Sequence, residues 1–312
     1  MNPDIRVVPN IMQDVIKIDA NQDDMTLARP FEYSATVLCK SPRQVQLERR
    51  HRHELPKETF FDNWYSFFGT AIHDYIEKEL TNNPRYLVER RIVRYDKPIN
   101  GTEDQYRRVG AKFDAYDKVT KTLYDHKTTT TFIHGSEMKP EWVKQLMINA
   151  YFLEMEGYPV EKCAINAIYC DWRDSRLQYA NEGDYPAAPC CEFSCQAWSM
   201  EDREHLYKSL LKEHIEAENV PDDQLPYCDK EYCWESPSVW AVYRPNATKA
   251  LRLASSKEEA EDYVKYKKLS GDILIRQRPA TRRRCEKYCR VKGFCNQYQK
   301  WLKEQEERSN PK

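Results

Sequence analysis

Apolar and polar positions alternate along two short stretches near the middle of the chain, with a polar segment between them. The first stretch, 111–117, is Ala-Lys-Phe-Asp-Ala-Tyr-Asp, and the second, 123–128, is Leu-Tyr-Asp-His-Lys-Thr. The intervening residues, 118–122, have the polar composition of a hairpin turn. This alternation predicts an antiparallel β-hairpin, in which successive side chains point to opposite faces.

Outside the hairpin, the spacing of apolar residues predicts both helices and strands. Apolar residues recur at helical spacing from 59 to 80, and again from 141 to 156, where Gly157 provides a stop signal. Ser34 and Ser41 are typical helix N-caps. Residues 190–196 are interpreted as irregular, and no role is assigned to Cys190, Cys191 or Cys195. The other predicted elements are helices at 200–218 and 256–268 and strands at 86–94, 162–170, 239–243, 251–254 and 272–276.

These elements predict an α/β fold whose central mixed β-sheet is flanked by helices. We expect four segments along the chain. They are an N-terminal extension (1–30), a main domain (31–220), a small nested β-β-α-β module (221–278) and a C-terminal segment with a cysteine cluster and a helix (279–312).

Composition narrows the class of protein. The 312 residues are 40% apolar and 32% charged with a net charge of −1, which indicates a globular chain of one or two domains. No apolar run approaches the roughly 20 residues of a membrane-spanning helix. The N-terminus lacks the layout of a secretory signal, so the eleven cysteines are expected to be reduced thiols in a cytoplasmic protein.

The predicted hairpin gathers residues that can bind a metal ion. Asp125 and Lys127 share one face of the second strand, His126 points to the other, and Asp114 can reach the first face from the preceding strand. Two close carboxylates repel each other unless a cation lies between them, which predicts a divalent-metal site beside a lysine. The alternative, a solvated hairpin with ordinary surface charges, stays open.

Two residues on the predicted helices can extend this site. His73 lies next to the apolar stripe of its helix, as either a core histidine or a metal ligand that would favour tolerance of manganese. Gln145 lies on the helix over 141–156, where it either faces solvent or holds a scissile phosphate or an attacking water.

The C-terminal cysteines are the second strong indication of a metal site in this sequence. Three thiols with basic residues and glycine around them fall within eleven residues, a spacing that indicates a shared metal centre: Cys285, Cys289 and Cys295. Zinc sites favour two-residue gaps, whereas four thiolates can hold an iron–sulfur cluster. The fourth ligand is expected to be Cys39, with the pair Cys228 and Cys233 as its competitor.

In this order and spacing, the motifs resemble the RecB-type branch of the PD-(D/E)XK nuclease superfamily in its iron–sulfur form. CRISPR-associated RecB-like exonucleases and phage nucleases are the most similar members. The residues that carry the resemblance are Gly69 to His73, Asp114, Asp125-His126-Lys127, Gln145, and the cysteines Cys39, Cys285, Cys289 and Cys295. One position departs from the family pattern: Asn149 stands where a tyrosine is usual, and Tyr151 is expected to point off that face.

The resemblance implies a restriction-endonuclease-like core that hydrolyses phosphodiester bonds. Mg²⁺ or Mn²⁺ would be bound by His73, Asp114, Asp125 and the backbone carbonyl of His126. Lys127 would orient the attacking water or stabilise the developing charge. Gln145 would hold a scissile-phosphate oxygen or the attacking water. A structural [4Fe–4S] cluster would hold the two ends of the chain together, and the arginines between 276 and 284 would contact the DNA backbone.

We therefore expect a metal-dependent DNA nuclease, acting as an exonuclease on DNA ends or single strands. The chain contains no Gly-Lys dipeptide and hence no Walker loop, so any helicase or recombination activity would belong to a separate partner. Two alternatives stay open. One is a catalytically weak DNA-binding accessory of recombination or repair with the same fold and a zinc or iron–sulfur site, and the other is a zinc-stabilised interaction module. A phage-encoded chain would act in the host cytoplasm.

Overall fold

The computed structural model describes Met12 and residues 31–56, 60–96 and 106–309. Apart from Met12, the predicted N-terminal extension lies outside the described residues. The described chain divides into two compact units. The first comprises the described residues of Met1–Val45 and Pro56–Asn219, and the second comprises Gln46–Leu55 and the described residues of Val220–Lys312.

The first unit mixes strands and helices along its sequence. Its strands are β1 (Glu32–Ser34), β2 (Tyr86–Val88), β3 (Arg91–Asp96), β4 (Arg107–Lys112), β5 (Ala115–Asp117), β6 (Thr122–Thr129), β7 (Lys162–Tyr169) and β8 (Cys190–Gln196). Its helices are α1 (Ala35–Leu38), the start of α2 (Pro42–Arg50), α3 (Phe60–Thr81), α4 (Pro140–Met155), α5 (Asp174–Leu177) and α6 (Met200–Ala217).

A mixed sheet with strand order β2-β5-β6-β7-β8 forms the centre of this unit. The predicted hairpin is confirmed for residues 115–117, since β5 pairs antiparallel with β6 and Tyr116 stands opposite Leu123. Residues 111 and 112, predicted in the same strand, belong to β4 instead. Strand β6 is parallel to β7, which is buried as predicted. A second sheet has the order β1-β4-β3, so the chain passes from one sheet to the other at Phe113 and Asp114.

Helix α4 packs into the core beside the central sheet. The burial is more complete than a one-sided amphipathic helix requires, because consecutive residues from Leu146 to Leu153 are buried. The helix ends at the predicted stop, where Gly157 adopts a φ of +87° that disfavours other residues. Ser34 caps α1 as predicted, its hydroxyl accepting a hydrogen bond from the Val37 N–H at 3.2 Å.

Two local expectations were wrong. The single strand predicted over 86–94 is interrupted at Glu89, where φ is +48°, and its halves join different sheets as β2 and β3. Residues 190–196 are not irregular, because they form β8 and pair antiparallel with β7. In both places the partner strand supplies the backbone hydrogen bonds, and this pairing is a tertiary effect that local periodicity does not contain.

The hairpin turn is held by one buried carboxylate. Asp117 is 2% exposed and accepts hydrogen bonds from the Arg85 guanidinium at 2.9 and 2.5 Å, from the Val119 N–H at 2.9 Å and from the Thr120 hydroxyl at 2.9 Å. The Arg85 hydrogen bonds hold the pKa of Asp117 well below its usual range. These bonds fix the turn that sets the register of β5 and β6.

Replacing Asp117 with asparagine is expected to destabilise the protein by about 1–3 kcal/mol at pH 7, because the charged acceptor of several hydrogen bonds is lost. Since the folded-state pKa is depressed, this stabilisation is present above the pKa of an unfolded aspartate and is lost as the pH falls through the folded-state value. Urea unfolding at pH 7 and at acid pH measures both effects. The exposed Asp184 provides a control, since Asp184→Asn should change stability little at either pH.

The second unit contains a small antiparallel sheet with a helix on one face. Its elements are β9 (Glu235–Ser236), β10 (Val239–Tyr243), β11 (Arg252–Ala254), α7 (Lys257–Tyr266), β12 (Leu274–Arg278), β13 (Thr281–Arg282), α8 (Arg283–Lys287) and α9 (Asn296–Ser309). The sheet order is β11-β10-β12. Val242, Ala254 and Ala260 form the buried centre between sheet and helix. Strand β10 has the predicted bounds, whereas β12 begins two residues later than predicted.

Residues 46–55 belong to this second unit because polar contacts tie them to the residues after 220. Arg50 donates a hydrogen bond to Asp222 at 2.6 Å, and the His51 ring lies between the carboxylates of Asp222 and Glu54 at 2.7 and 2.8 Å. The same ring stacks on Phe294 with centroids 4.1 Å apart. Among the described helices of the chain, none has the length and apolarity needed to cross a membrane.

Candidate active site

Strand β6 and helix α4 together build a closed polar triangle. Asp125 and Lys127 share a face of β6 as predicted, with Lys127 Nζ 2.6 Å from Asp125 Oδ2. Gln145 on α4 donates from Nε2 to Asp125 Oδ1 at 3.0 Å and accepts from Lys127 Nζ at 3.4 Å. Gln145 therefore faces the hairpin instead of solvent, and each of the three side chains orients the other two.

A second group of residues meets at the backbone of His126. Asp114, in the link between the two sheets, accepts a hydrogen bond from the His126 N–H at 2.6 Å and lies 3.5 Å from His73 Nδ1. On its other side, the His73 ring places Nε2 2.9 Å from the His126 carbonyl oxygen. The peptide groups of His126 therefore hold both Asp114 and His73, which come from separate parts of the chain.

Helix α3 brings His73 to the sheet through a close approach at Gly69. A Cβ at Gly69 would lie 3.3 Å from the hydroxyl oxygen of Thr128 on β6, which is tighter than most real Cβ contacts. Gly69 lies four residues before His73, so both face the same side of the helix. A side chain at Gly69 would require the Thr128 hydroxyl to give way by a few tenths of an ångström.

Glu89 is a site residue that the sequence analysis missed. Its carboxylate forms an ion pair with Lys112, and its backbone N–H donates to the Asp114 carbonyl at 3.0 Å. The ligand atoms of His73, Glu89 and Asp114 all lie within 4.8 Å of one another. The positive φ at Glu89 turns the chain there, and the only available sequence signal was an acidic residue inside a predicted strand.

The pKa values of the carboxylates in the site are shifted in opposite directions, because burial dominates at some and hydrogen bonds and neighbouring charges dominate at others. Burial raises the pKa of Asp125 to about 6, with the neighbouring charge of Asp114 adding to the shift against the opposing effect of Lys127. Burial also raises the pKa of Glu89. Burial acts in the same direction on Asp114, but interactions with His73 and the His126 N–H outweigh it and lower the pKa. Asp114 in turn raises the pKa of His73.

The side chain of His126 does not join this group of ligand atoms. Its ring is buried, which lowers its pKa, and its Nδ1 lies 3.3 Å from the Asn166 amide nitrogen. Ring atom Nε2 is buried and has no hydrogen-bond partner within the described chain. The part of His126 that hydrogen-bonds to His73 is its backbone carbonyl.

Asn149 takes a structural position in the core. It is fully buried, and its side chain donates to the Lys112 carbonyl at 3.1 Å, two residues before Asp114. Asn149 thus supports the link that carries Asp114 and is not exposed to a substrate. Tyr151 turns away as predicted, with its hydroxyl 3.4 Å from Glu204 on α6.

The donor set fits a hard divalent cation. An imidazole, the carboxylates of Asp114 and Glu89, and a backbone carbonyl are nitrogen and oxygen ligands of the kind that Mg²⁺ and Mn²⁺ accept. The third carboxylate, Asp125, stands beside this group and interacts electrostatically with both Asp114 and His73. A cation would relieve the repulsion among these acidic groups.

Cys39, the predicted fourth cluster ligand, lies at the end of α1 in the first unit. The charged groups that act on its thiol are Lys144, Glu141, Lys127 and Asp125. Burial raises the pKa of this thiol to about 12, which keeps it protonated in these surroundings. Lys127 and Asp125 lie on β6, and Lys144 and Glu141 lie on α4.

No family model and no curated protein matches this sequence. Several solved structures are similar at low identity. The crystal structure of SSO0001 is 15% identical with a TM-score of 0.44, over 68% of this chain and 88% of that chain. An alkaline exonuclease from Laribacter hongkongensis is 15% identical with a TM-score of 0.34, over 63% and 94%. A phage-related exonuclease from Haemophilus somnus 129PT is 10% identical with a TM-score of 0.24, over 66% and 79%.

Proposed function

We propose that this chain is a divalent-metal-dependent deoxyribonuclease. The observation that carries the proposal is the electrostatic interaction between two groups: the triangle of Asp125, Lys127 and Gln145, and the ligand atoms of His73, Glu89 and Asp114. An acidic site with one fixed ammonium group suits a reaction in which negative charge develops on a phosphate. The order of these residues along the chain supports the same reaction class through the sequence resemblance.

Mg²⁺ or Mn²⁺ would be held by five groups: His73, Glu89, Asp114, Asp125 and the His126 carbonyl. When bound, the ion would polarise the scissile phosphate and lower the pKa of a bound water. Lys127 would orient the attacking water and stabilise the charge that develops on the phosphate oxygens. Asp125 and Gln145 hold the Lys127 ammonium in place, so that little reorganisation is needed at the moment of reaction.

The finer features of the function are part of the same proposal. The substrate is DNA, attacked at ends or in single strands, and any unwinding is done by a separate helicase or recombination protein. A structural [4Fe–4S] cluster on C-terminal cysteines is the second cofactor.

The decisive experiment uses end-labelled single-stranded and double-stranded DNA with Mg²⁺, with Mn²⁺ and with a chelator. We expect cleavage with either metal and none with the chelator, and mononucleotides or short products released from the ends. A circular single-stranded substrate separates the two modes, because an exonuclease leaves it intact. DNA binding without any cleavage in either metal would contradict the proposal and favour a non-catalytic accessory.

A further inference from the structure

The second unit brings together the cysteines that follow residue 220. Strands β9 and β13 pair antiparallel, with Glu235 opposite Arg282. Beside this pair, the Arg284 N–H donates to the Cys233 carbonyl at 3.2 Å. The residue after Arg284 is Cys285, so the pairing of these two segments places Cys233 beside Cys285.

A buried glutamine places Cys228 next to Cys295. Gln297 is 8% exposed and lies two residues after Cys295, at the start of α9. Its side chain accepts from the Cys228 N–H at 2.9 Å and donates to the Cys228 carbonyl at 2.7 Å. The oxygen and the nitrogen of the Gln297 side-chain amide thus both hydrogen-bond to the backbone of Cys228. These two hydrogen bonds fix the position of Cys228 beside the start of α9.

The thiols in this cluster interact with one another. Cys285 interacts electrostatically with Cys289, Cys228 and Cys295, and Cys289 interacts with Cys295 and Cys228. Cys233 donates a hydrogen bond to the Cys228 carbonyl oxygen at 4.0 Å, and its thiol also interacts with the Cys285 sulfur. Cys228 therefore interacts with two of the three predicted ligands, Cys285 and Cys289, whereas Cys233 interacts with Cys285.

We propose that Cys228, with Cys285, Cys289 and Cys295, completes a four-thiolate site for an iron–sulfur cluster that lies wholly within the second unit. Cys233 is a positioning residue that hydrogen-bonds to the Cys285 sulfur, an interaction of the kind that tunes cluster potentials. Cys39 is not a ligand. The inference does not depend on nuclease activity.

A zinc ion and an iron–sulfur cluster need different arrangements of four thiolates. A tetrahedral zinc site with bonds of about 2.3 Å holds its sulfurs about 3.8 Å apart. In a cubane cluster each thiolate binds a different iron atom, so the ligand sulfurs stand farther apart. The metal content of the purified protein decides between the two.

Two arginines give the site a matching charge. Arg282 pairs with Glu235 at 2.8 Å and lies over the Trp301 ring, with 5.4 Å between the guanidinium carbon and the ring centroid. Arg284 lies over Tyr232 and Trp234 at 4.1 and 4.8 Å. Four thiolates around a cluster carry net negative charge, which these cations offset. That these arginines also contact the DNA backbone stays a prediction.

The test is to purify the 312-residue chain without oxygen and to measure iron, sulfide and visible absorbance for it and for four variants. We expect about four iron and four sulfide per chain in the unmodified protein, and at least a twofold loss in Cys228→Ser. Cys39→Ser and Cys233→Ser should keep their iron, with a shifted reduction potential for Cys233→Ser. Cys170→Ser, at an exposed thiol outside the cluster, is the matched control.

A fifth variant guards against misfolding of Cys228→Ser. Gln297→Ala keeps every thiol and removes only the two hydrogen bonds to Cys228, so it should lose iron to a chelator about tenfold faster than the unmodified protein. Loss of the cluster in Cys39→Ser with retention in Cys228→Ser would overturn the ligand assignment. A colourless protein with one zinc ion per chain would overturn the cluster, whatever the outcome of the DNA cleavage assays.

Discussion

The Lys127→Ala variant is expected to cleave DNA at least about 10²–10³-fold more slowly than the unmodified protein. The reason is the position of Lys127 Nζ, fixed 2.6 Å from Asp125 Oδ2 and 3.4 Å from Gln145 Oε1 beside the ligand atoms of the candidate metal site. Lys127 is the ammonium that the triangle holds, so its removal takes away a fixed cationic group that would stabilise the charge developing on the phosphate. Initial rates on end-labelled DNA with Mg²⁺ measure the loss.

A matched control comes from the same hairpin. Lys118 lies in the turn and is exposed, so Lys118→Ala should cleave DNA at the rate of the unmodified protein. Circular dichroism and thermal melting show whether each variant is folded. If folded Lys127→Ala cleaved at full rate while Lys118→Ala did too, Lys127 would have no catalytic role and the active-site assignment would be wrong.

The second large effect is expected for Asp114→Asn, which should abolish stabilisation by Mn²⁺. In the unmodified protein, a metal ion that binds only the folded state adds about 2.7 kcal/mol of stability at a free concentration one hundred times its Kd. Asp114 contributes a carboxylate with a depressed pKa within 4.8 Å of the His73 and Glu89 ligand atoms. Without this charge, the melting temperature should no longer rise with Mn²⁺.

Thermal melting with and without Mn²⁺ provides the readout, and a chelator should reverse the shift in the unmodified protein. Glu89→Gln is expected to weaken Mn²⁺ binding as well, because it removes another of the clustered acidic groups. Asp184→Asn, at an exposed loop carboxylate, should keep the full shift. An unchanged Mn²⁺ response in Asp114→Asn would show that the ion binds elsewhere.

The triangle of Asp125, Lys127 and Gln145 shows how much of the candidate site local sequence patterns can predict. The period of two along a strand places Asp125 and Lys127 on one face, and this follows from backbone geometry alone. Gln145 was predicted as a candidate only, because a helix position says which residues share a face but not what that face meets. Packing of α4 on the central sheet decided that Gln145 meets Asp125 and Lys127.

The positions of Glu89 and Asn149 in this site could not be predicted from the sequence. Glu89 reaches Asp114 because the chain breaks between β2 and β3 with a positive φ, and those strands pair in different sheets. Asn149 was interpreted only as a departure from a family pattern. Its buried hydrogen bond to the Lys112 carbonyl gives it a structural role that depends on the distance between α4 and β4.

By itself, the sequence determined the α/β class, the hairpin, the bounds of β10 and the amino acids that can bind metal, because these follow from periodicity and residue chemistry. The tertiary structure alone decided which of those residues meet. Thiols that are 57 residues apart in the chain, Cys228 and Cys285, interact in the second unit, whereas Cys39 lies among charged groups in the first. The physical reason is that metal sites form from side chains brought together by packing and long-range backbone pairing, and neither is encoded in local spacing.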